Sequence, residues 1–308
     1  MTTFQSNEGG YFLSFHGWVI YNGNLESHAF LDFANMIEEA GARQNINIQK
    51  FKNNDLLPIL TRDSLHLLHN KETLPDFVVS TDKDIYLARQ LEMLGIRVYN
   101  SSYTIETSDD KIKTYQLLAK NGLPIPKTII GPKIYYNHKE INYAFLEKVG
   151  NTLTFPLIVK EAFGSFGEQV YLINSEDELL TKVQQLAGRP IIFQQFISSS
   201  FGKDIRLQVV GDQVVTAMLR SSKTDFRANI TAGGSMKPYE PTKEEKQLAI
   251  QATKVVKADF AGVDLLFGSD GSPIVCEVNS NAHIRNLYKC TGVNAADSMI
   301  RHIKKTLK

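Results

Sequence analysis

Along the first hundred residues, hydrophobic positions switch back and forth between strand and helix periods. "GWVIYNG" at 17–23 is an apolar run closed by a turn, and "ESHAFLDFANMIEEAG" at 26–41 has helical spacing that ends at Gly41. "INIQKF" then reads as a second strand and "PDFVVSTD" (75–82) as a third. "KDIYLARQLEMLG" reads as a helix ending at Gly95, and "IRVYNSS" as a fourth strand. Strands separated by helices predict a parallel sheet covered on both faces.

Beyond residue 107 the pattern changes. "SDDKIKTYQLLAKNGLPIPKT" predicts a helix capped by Ser108 or Asp109 and ended by Gly122, with Pro124 and Pro126 setting an extended segment. "FPLIVKEA" (155–162) is a strand, and "FGSFGEQVYLI" is a glycine-bearing turn into the next. "EDELLTKVQQLAG" is a helix and "PIIFQQFI" a buried strand. "DIRLQVVGDQVVTAMLRSS" gives two strands joined at Gly211-Asp212, a hairpin signal. "PTKEEKQLAIQATKVVK" (241–257) is an amphipathic helix, its run "KEEKQ" a solvated face. "AGVDLLFGSDGSPIVCEVNS" is a second hairpin, and "AADSMIRHIKKTLK" a helix whose basic end suits its dipole. The expected class is thus a parallel α/β unit followed by a mixed, hairpin-rich α+β region.

A chain of 308 residues can hold two or three packed subdomains. A net charge of +1 gives no electrostatic case for nucleic acid or an anionic membrane as main partner. The start carries no basic, apolar leader pattern and no run reaches membrane-spanning length, so a cytoplasmic location is expected. Two cysteines, Cys276 and Cys290, make neither a disulfide framework nor a zinc pattern. At period two Cys276 falls on the face opposite Glu277, as a small buried hydrophobe. His66 and His69 in "HLLH" have helical i,i+3 spacing but no third ligand is apparent.

The chemistry concentrates in "IVCEVNSN" (274–281). Glu277 and Asn279 share one face of an otherwise apolar strand, where an unpaired carboxylate costs several kcal/mol by order of magnitude. Asp264 lies on the preceding strand, so pairing about "GSDGS" brings it near Glu277. Two carboxylates and an amide oxygen make a hard-cation site of the kind Mg²⁺ prefers; a hydrogen-bonded strand end is the alternative. Lys160 ends an apolar strand just before Gly164 and Gly167, whose backbone N–H groups can approach phosphate. Lys111 opens a helix, where a cation opposes the dipole. Either lysine can equally be solvated. Arg206, Arg220 and Arg227 supply guanidinium groups that match phosphate or carboxylate oxygens, surface arginines being the alternative.

Read together from Ser108 onward, the chain resembles an ATP-grasp ligase, and more narrowly the RimK-like group, which joins an amino acid through its amine to a carboxylate. The resemblance rests on "DDKIKTYQLLAKNGLPIPKT", "PLIVKEAFGSFGEQV", "FQQFISSSFGKDIRLQVVGDQVVTAMLR", "DFRANITAGGS", "AGVDLL" and "CEVNSNA" in that order. It implies an ATP-grasp fold preceded by a parallel α/β domain. The expected division is 1–107, then 108–196 with the glycine flap, then 197–308 with the magnesium site. It further implies that Lys111 and Lys160 contact ATP phosphates beneath a flap of Gly164, Ser165, Phe166 and Gly167. Gln195 and Phe196 would meet adenine, Asp204 the ribose, and Arg227 and Asn229 the phosphates. Asp264, Glu277 and Asn279 would hold Mg²⁺ (Mn²⁺ the substitute, two ions in the active complex), while Arg206 and Arg220 steady an acylphosphate. The implied partners are ATP, a small-molecule or peptide carboxylate and an amino-acid amine such as glutamate, with a homo-oligomer compatible. A catalytically silent ATP-binding sensor and a small-molecule kinase are the competing expectations. The chain departs from the family at Gln195, where an acidic residue is common, and at "NSNAHIRN" (279–286), which replaces "NxSPG". That second departure makes His283 and Arg285 candidate substrate readers.

Overall fold

The computed structural model describes residues 6–307 except 8–9, 12–14, 26–27, 70–72, 136–140, 165–166 and 229–232. The expected site residues Ser165, Phe166 and Asn229 lie outside the described residues. A short pair, β1 (Ser6–Asn7) and β2 (Gly10–Tyr11), precedes β3 (His16–Tyr21), α1 (His28–Arg43) and β4 (Asn47–Lys52). A hairpin of β5 (Leu57–Leu60) and β6 (Leu65–Leu68) follows, then β7 (Phe77–Ser80), α2 (Ile85–Met93) and β8 (Arg97–Tyr99). The strands pair in the order β4-β3-β7-β8, all parallel, as the alternating pattern predicts.

Next come α3 (Ser102–Asp109), α4 (Lys111–Lys120), β9 (Thr128–Ile130), α5 (Tyr143–Leu153), β10 (Leu157–Glu161), β11 (Val170–Ile173), α6 (Glu176–Gln185) and β12 (Ile191–Gln195). Their strands form an antiparallel sheet in the order β11-β10-β12-β9. The last part holds β13 (Lys203–Val210), β14 (Gln213–Ser221), β15 (Ser235–Pro238), α7 (Lys243–Val255), β16 (Phe260–Phe267), β17 (Pro273–Asn279), α8 (Arg285–Thr291) and α9 (Ala295–Thr306). Its antiparallel sheet runs β15-β14-β13-β16-β17.

Period-two alternation splits that five-stranded sheet into two chemistries. Ile205, Leu207, Val209, Ala261, Val263 and Leu265 point down onto Leu248, Ala249 and Ala252 of α7 in one core. Burying each such aliphatic side chain contributes about 1.5–3 kcal/mol. The alternate residues Asp204, Arg206 and Asp264 are left for the other face. Helix α7 starts at a capping box: the Thr242 side chain accepts from Glu245 N–H at 3.2 Å, and the Glu245 carboxylate accepts from Thr242 N–H at 2.7 Å. Another core joins the two ends of the chain, since Met299, Ile300 and Ile303 of α9 pack with Ile37 of α1 and Val19 and Phe77 of the parallel sheet.

Four local expectations are corrected. Helix α1 runs past Gly41 to Arg43, because Gly41 is a packing residue rather than a cap. A Cβ there would lie 2.6 Å from Ile48 Cδ1, and Asn45 takes the left-handed conformation instead (φ 59°). Asp110, not Ser108 or Asp109, caps α4, its carboxylate accepting from the N–H groups of Ile112 and Lys113. His66 lies in strand β6 and His69 just beyond it, so the helical spacing that would have joined them does not exist. His66 Nε2 lies 2.6 Å from Ser64 Oγ, and the His69 ring packs edge-on to Trp18 with centroids 5.0 Å apart. Finally, the register shifts between Asp264 and Leu265, which face Glu277 and Val275 respectively, leaving Cys276 as the extra residue of a bulge. Cys276 and Glu277 therefore both line the cleft described next.

Candidate active site

A cleft of about 570 Å³ opens between the two antiparallel sheets and reaches the carboxyl ends of the parallel strands. Crevices at strand carboxyl ends are the usual ligand sites of parallel sheets. The structure brings to this one cleft Lys111, Lys160, Gly164, Gly167, Gln195, Phe196, Asp204, Arg206, Arg220, Arg227, Asp264, Glu277 and Asn279.

The floor is set by strand register. Arg206 sits directly opposite Asp264 across β13 and β16, Asp264 opposite Glu277 across β16 and β17, and Asp204 opposite Arg220 across β13 and β14. Arg206 grips Asp264 bidentately, Nε and Nη2 each donating at 2.7 Å. Arg220 donates to both Asp204 oxygens at 2.6 and 2.7 Å and to Asp264 Oδ2 at 2.8 Å. Asp204, Arg220 and Asp264 are buried. Burial alone would raise the Asp264 pKa, but Arg206 and Arg220 outweigh it and hold the carboxyl below its ordinary value. Asp204 goes the other way: burial raises it against the pull of Arg220. Both Asp204 oxygens are occupied by Arg220, so a ribose contact would have to share them.

Two lysines face this acidic strand pair, and neither is solvated. Lys111 is 9% exposed and Lys160 8%. Lys111 Nζ donates to the Gly164 carbonyl at 3.2 Å and lies 3.7 Å from Glu277 Oε1. Burial lowers its pKa, with Glu277 working in the opposite direction. Lys160 Nζ lies 3.4 Å from the Tyr115 hydroxyl, which itself donates to the Cys276 carbonyl at 2.5 Å. Burial pushes the Cys276 thiol up to about 11. Arg227 holds the other end of the glycine turn, donating to the Gly167 carbonyl at 2.6 Å while its remaining nitrogens engage Asp225. Gly164 adopts φ 151° and Gly167 φ 73°, backbone that glycine alone takes without strain.

At the mouth between the sheets, Gln195 gives its N–H to the Lys127 carbonyl at 2.9 Å. Phe196 meets Phe201 and Phe226 edge-on, each with centroids 6.3 Å apart. An apolar aromatic shelf beside a strand edge suits a flat heterocycle.

The donor set fits a hard divalent cation. A carboxylate offers about four acceptor positions, and three of Asp264's are used by arginine. Glu277 is part-exposed to the cleft, and Asn279 carries a buried Nδ2 with no partner. Among the described residues no hydrogen bond commits this amide, so Oδ1 is free to face a cation while Nδ2 is left for an acceptor such as a phosphate oxygen. Among the described residues no cluster of three His, Cys, Asp or Glu side chains is placed to hold a metal; the set here is two carboxylates and an amide.

Sequence reasoning missed Asp82, Asn22, Asn100 and Asn281. Asn100, fully buried, donates from Nδ2 to the carbonyls of Phe260 and Ser280 at 2.8 Å each and accepts from Asp259 N–H at 2.7 Å, tying the parallel sheet to the loop after β17. The signal for Asp82 was present, since it closes "PDFVVSTD" at a strand carboxyl end. Of the two candidate substrate readers, His283 lines the cleft, whereas Arg285 does not and is held bidentately by Asp32 at 2.5 and 2.7 Å.

The three-part fold and the cleft between antiparallel sheets define an ATP-grasp protein. Solved ATP-grasp structures share it: the ligase PsnB complexed with minimal precursor, Mg and ADP superposes with a TM-score of 0.70 at 18% identity, covering 95% of this chain and 97% of that one. The model of the RimK-like ATP-grasp domain matches residues 108–303, and the chain belongs to that family. Similar proteins include the uncharacterized protein MG012 homolog of Mycoplasma pneumoniae, 33% identical over 89% of this chain and 96% of that protein. The ribosomal protein bS6--L-glutamate ligase of Escherichia coli is 35% identical over 70% of each chain.

Proposed function

We propose that this protein is an ATP-dependent carboxylate–amine ligase that activates an acid as an acylphosphate and joins it to an amino-acid amine, glutamate being the first candidate. The observation that carries the proposal is the meeting of two buried lysines, a glycine turn and an arginine-braced carboxylate row in one cleft. Membership of a family with glutamate ligases supports the amine.

In this scheme Lys111 and Lys160 offset the negative charge of the triphosphate, and the exchange of Lys111 and Arg227 from glycine carbonyls to phosphate oxygens seats the turn over it. Phe196 receives adenine. Asp264, Glu277 and Asn279 hold Mg²⁺, with Mn²⁺ as a substitute and two ions in the active complex, and the bound ion disperses charge on the phosphates. Residues 197–308 supply that row, 108–196 the flap and lysines, and 1–107 the wall nearest the acceptor. Carboxylate attack on the γ-phosphorus releases ADP, and the amine then displaces phosphate. Arg206 and Arg220 act by holding the Asp264 carboxylate ionised and aimed. Direct attack by the acid needs no protein nucleophile, and the one thiol described in the lining, Cys276, is pushed up to about 11 by burial.

The test is phosphate release from ATP across a panel of carboxylates and amino acids, with mass spectrometry of the product. Release of ADP and phosphate that needs both an acid and an amine is the expected result. A stable phosphorylated product formed without any amine would replace the proposal with a kinase.

A further inference from the structure

One carboxylate of the cleft is unlike the rest. Asp109 pairs with Lys83, Asp204 with Arg220, Asp264 with Arg206 and Arg220, and Glu277 with Lys111. Asp82 also lines the cleft and is 9% exposed, yet among the described residues no ion pair meets it. Its Oδ2 accepts from Asn22 Nδ2 at 3.0 Å, a neutral donor, and Lys83 adds its backbone N–H and the attraction of its charge, which Asp84 opposes. Burial raises its pKa above the ordinary carboxylate value.

Beside it stands an unfilled acceptor. Asn281 Nδ2 donates to the Asp82 carbonyl at 2.5 Å, and since a carbonyl can only accept, this fixes the amide's orientation. Among the described residues Asn281 Oδ1 is then a buried acceptor with no partner, a state that costs about 1–3 kcal/mol unless a ligand donates to it. The segment is built to sit there: a Cβ on Gly262 would lie 2.4 Å from Ala282 Cβ, so glycine lets the loop close down on the sheet, and Asn100 holds Ser280. Asp82 and Asn281 both line the cleft and are joined through the Asp82 backbone carbonyl, so a carboxylate and an amide oxygen are both offered to a ligand rich in N–H donors.

Resting on the ligase function proposed above, we propose that Asp82 and Asn281 bind the amino group of the incoming substrate and that Asp82 takes its proton. The ammonium gives one proton to the Asp82 carboxylate. The freed lone pair forms the C–N bond at the acyl carbon, and the acyl C–O bond breaks with its electron pair leaving on phosphate. The second N–H proton goes to that phosphate, which departs as hydrogen phosphate, and Asp82 returns its proton to solvent.

The experiment separates the two half-reactions. Hydroxylamine at high concentration is neutral near pH 7.5 and traps an acylphosphate as a hydroxamate without needing an amine-binding site, so it is run beside L-glutamate against ATP and a panel of N-acetylated amino acids. Asp82→Asn keeps shape and can still accept from Asn22; its glutamate ligation should fall at least about 100-fold, with hydroxamate formation within about threefold of wild type. Asn281→Leu, the second variant should the first not fold, should raise the KM for the amine about tenfold with little change in the KM for ATP. Ligation by either variant near the wild-type rate, or equal loss of both reactions, overturns the assignment. A wild-type protein that yields neither hydroxamate nor amide with any acid overturns the ligase function itself.

Discussion

Replacing Arg220 with methionine removes a guanidinium that donates three hydrogen bonds to two buried carboxylates, at 2.6, 2.7 and 2.8 Å. Arg206, Arg220, Asp204 and Asp264 together carry no net charge, and the substitution leaves one uncompensated negative charge below the cleft. At an effective dielectric near 20, each attraction at about 4 Å is worth roughly 4 kcal/mol, so about 8 kcal/mol of gross interaction is lost. The desolvation no longer imposed on the guanidinium offsets part of this. Removing one partner of a buried ion network typically leaves a net loss of about 3–5 kcal/mol. Urea unfolding of the ligand-free protein measures it directly. A second variant, Asp204→Leu combined with Arg220→Met, replaces a charge pair by apolar groups and should recover most of the loss. If Arg220→Met lies within about 1 kcal/mol of wild type, or if the double variant is no more stable than the single, the network does not brace the sheet as described.

Other consequences follow from the same geometry. The Tyr239 hydroxyl donates to Glu245 at 3.0 Å, and burial first, then that carboxylate, lifts its pKa to about 12. A raised folded-state value means this stabilisation, about 1 kcal/mol, is complete below the unfolded tyrosine pKa near 10 and vanishes as pH rises through about 12. The stability gap between wild type and Tyr239→Phe should accordingly hold steady from about pH 7 to 9 and close above about 10; a gap that widens with alkalinity refutes the assignment. Cys276, with its thiol pushed up to about 11, should react with iodoacetamide at pH 8 roughly 100-fold more slowly than an ordinary free thiol, and mass-resolved labelling at the ordinary rate would mean the cleft does not hold the thiol protonated. Gly262→Ala should cost about 1–3 kcal/mol in urea unfolding and displace the 280–283 loop enough to lower ligation; unchanged activity would show that the 2.4 Å approach to Ala282 is relieved elsewhere.

The elements whose sequences carry one clear period were legible before the structure. The four parallel strands, α2, α6, α7, and both hairpins of the five-stranded sheet came from apolar spacing and glycine-bearing turns, and pairing about "GSDGS" placed Asp264 opposite Glu277. Failures have physical causes. Helices α3 and α8 and strand β15 lie in stretches without a strong amphipathic signal, and α3 has only one buried aliphatic side chain, Ile105; α5 was missed although its buried Leu146, Val149 and Leu153 carry a clear helical period. The β5–β6 hairpin exposes Leu57, Ile59, Leu60 and Leu68, so its apolar run did not mark burial. A bulge is invisible to a strict two-residue period, which is why Cys276 was put on the wrong face. Side-chain commitment was also beyond the sequence: nothing in "DIRLQVV" or "AMLRSS" says that Arg206 and Arg220 spend themselves on Asp204 and Asp264. Asp82 and Asn281 are brought together by a hydrogen bond spanning 199 residues, a contact no local pattern encodes.

The central claim is that the acid is activated on its own oxygen by the γ-phosphate of ATP. It is tested most directly by supplying the acid with both carboxylate oxygens as ¹⁸O and measuring the isotope in the phosphate released during ligation. Transfer of one ¹⁸O to each phosphate is the predicted result. Phosphate free of label, or label recovered in AMP, would contradict the account.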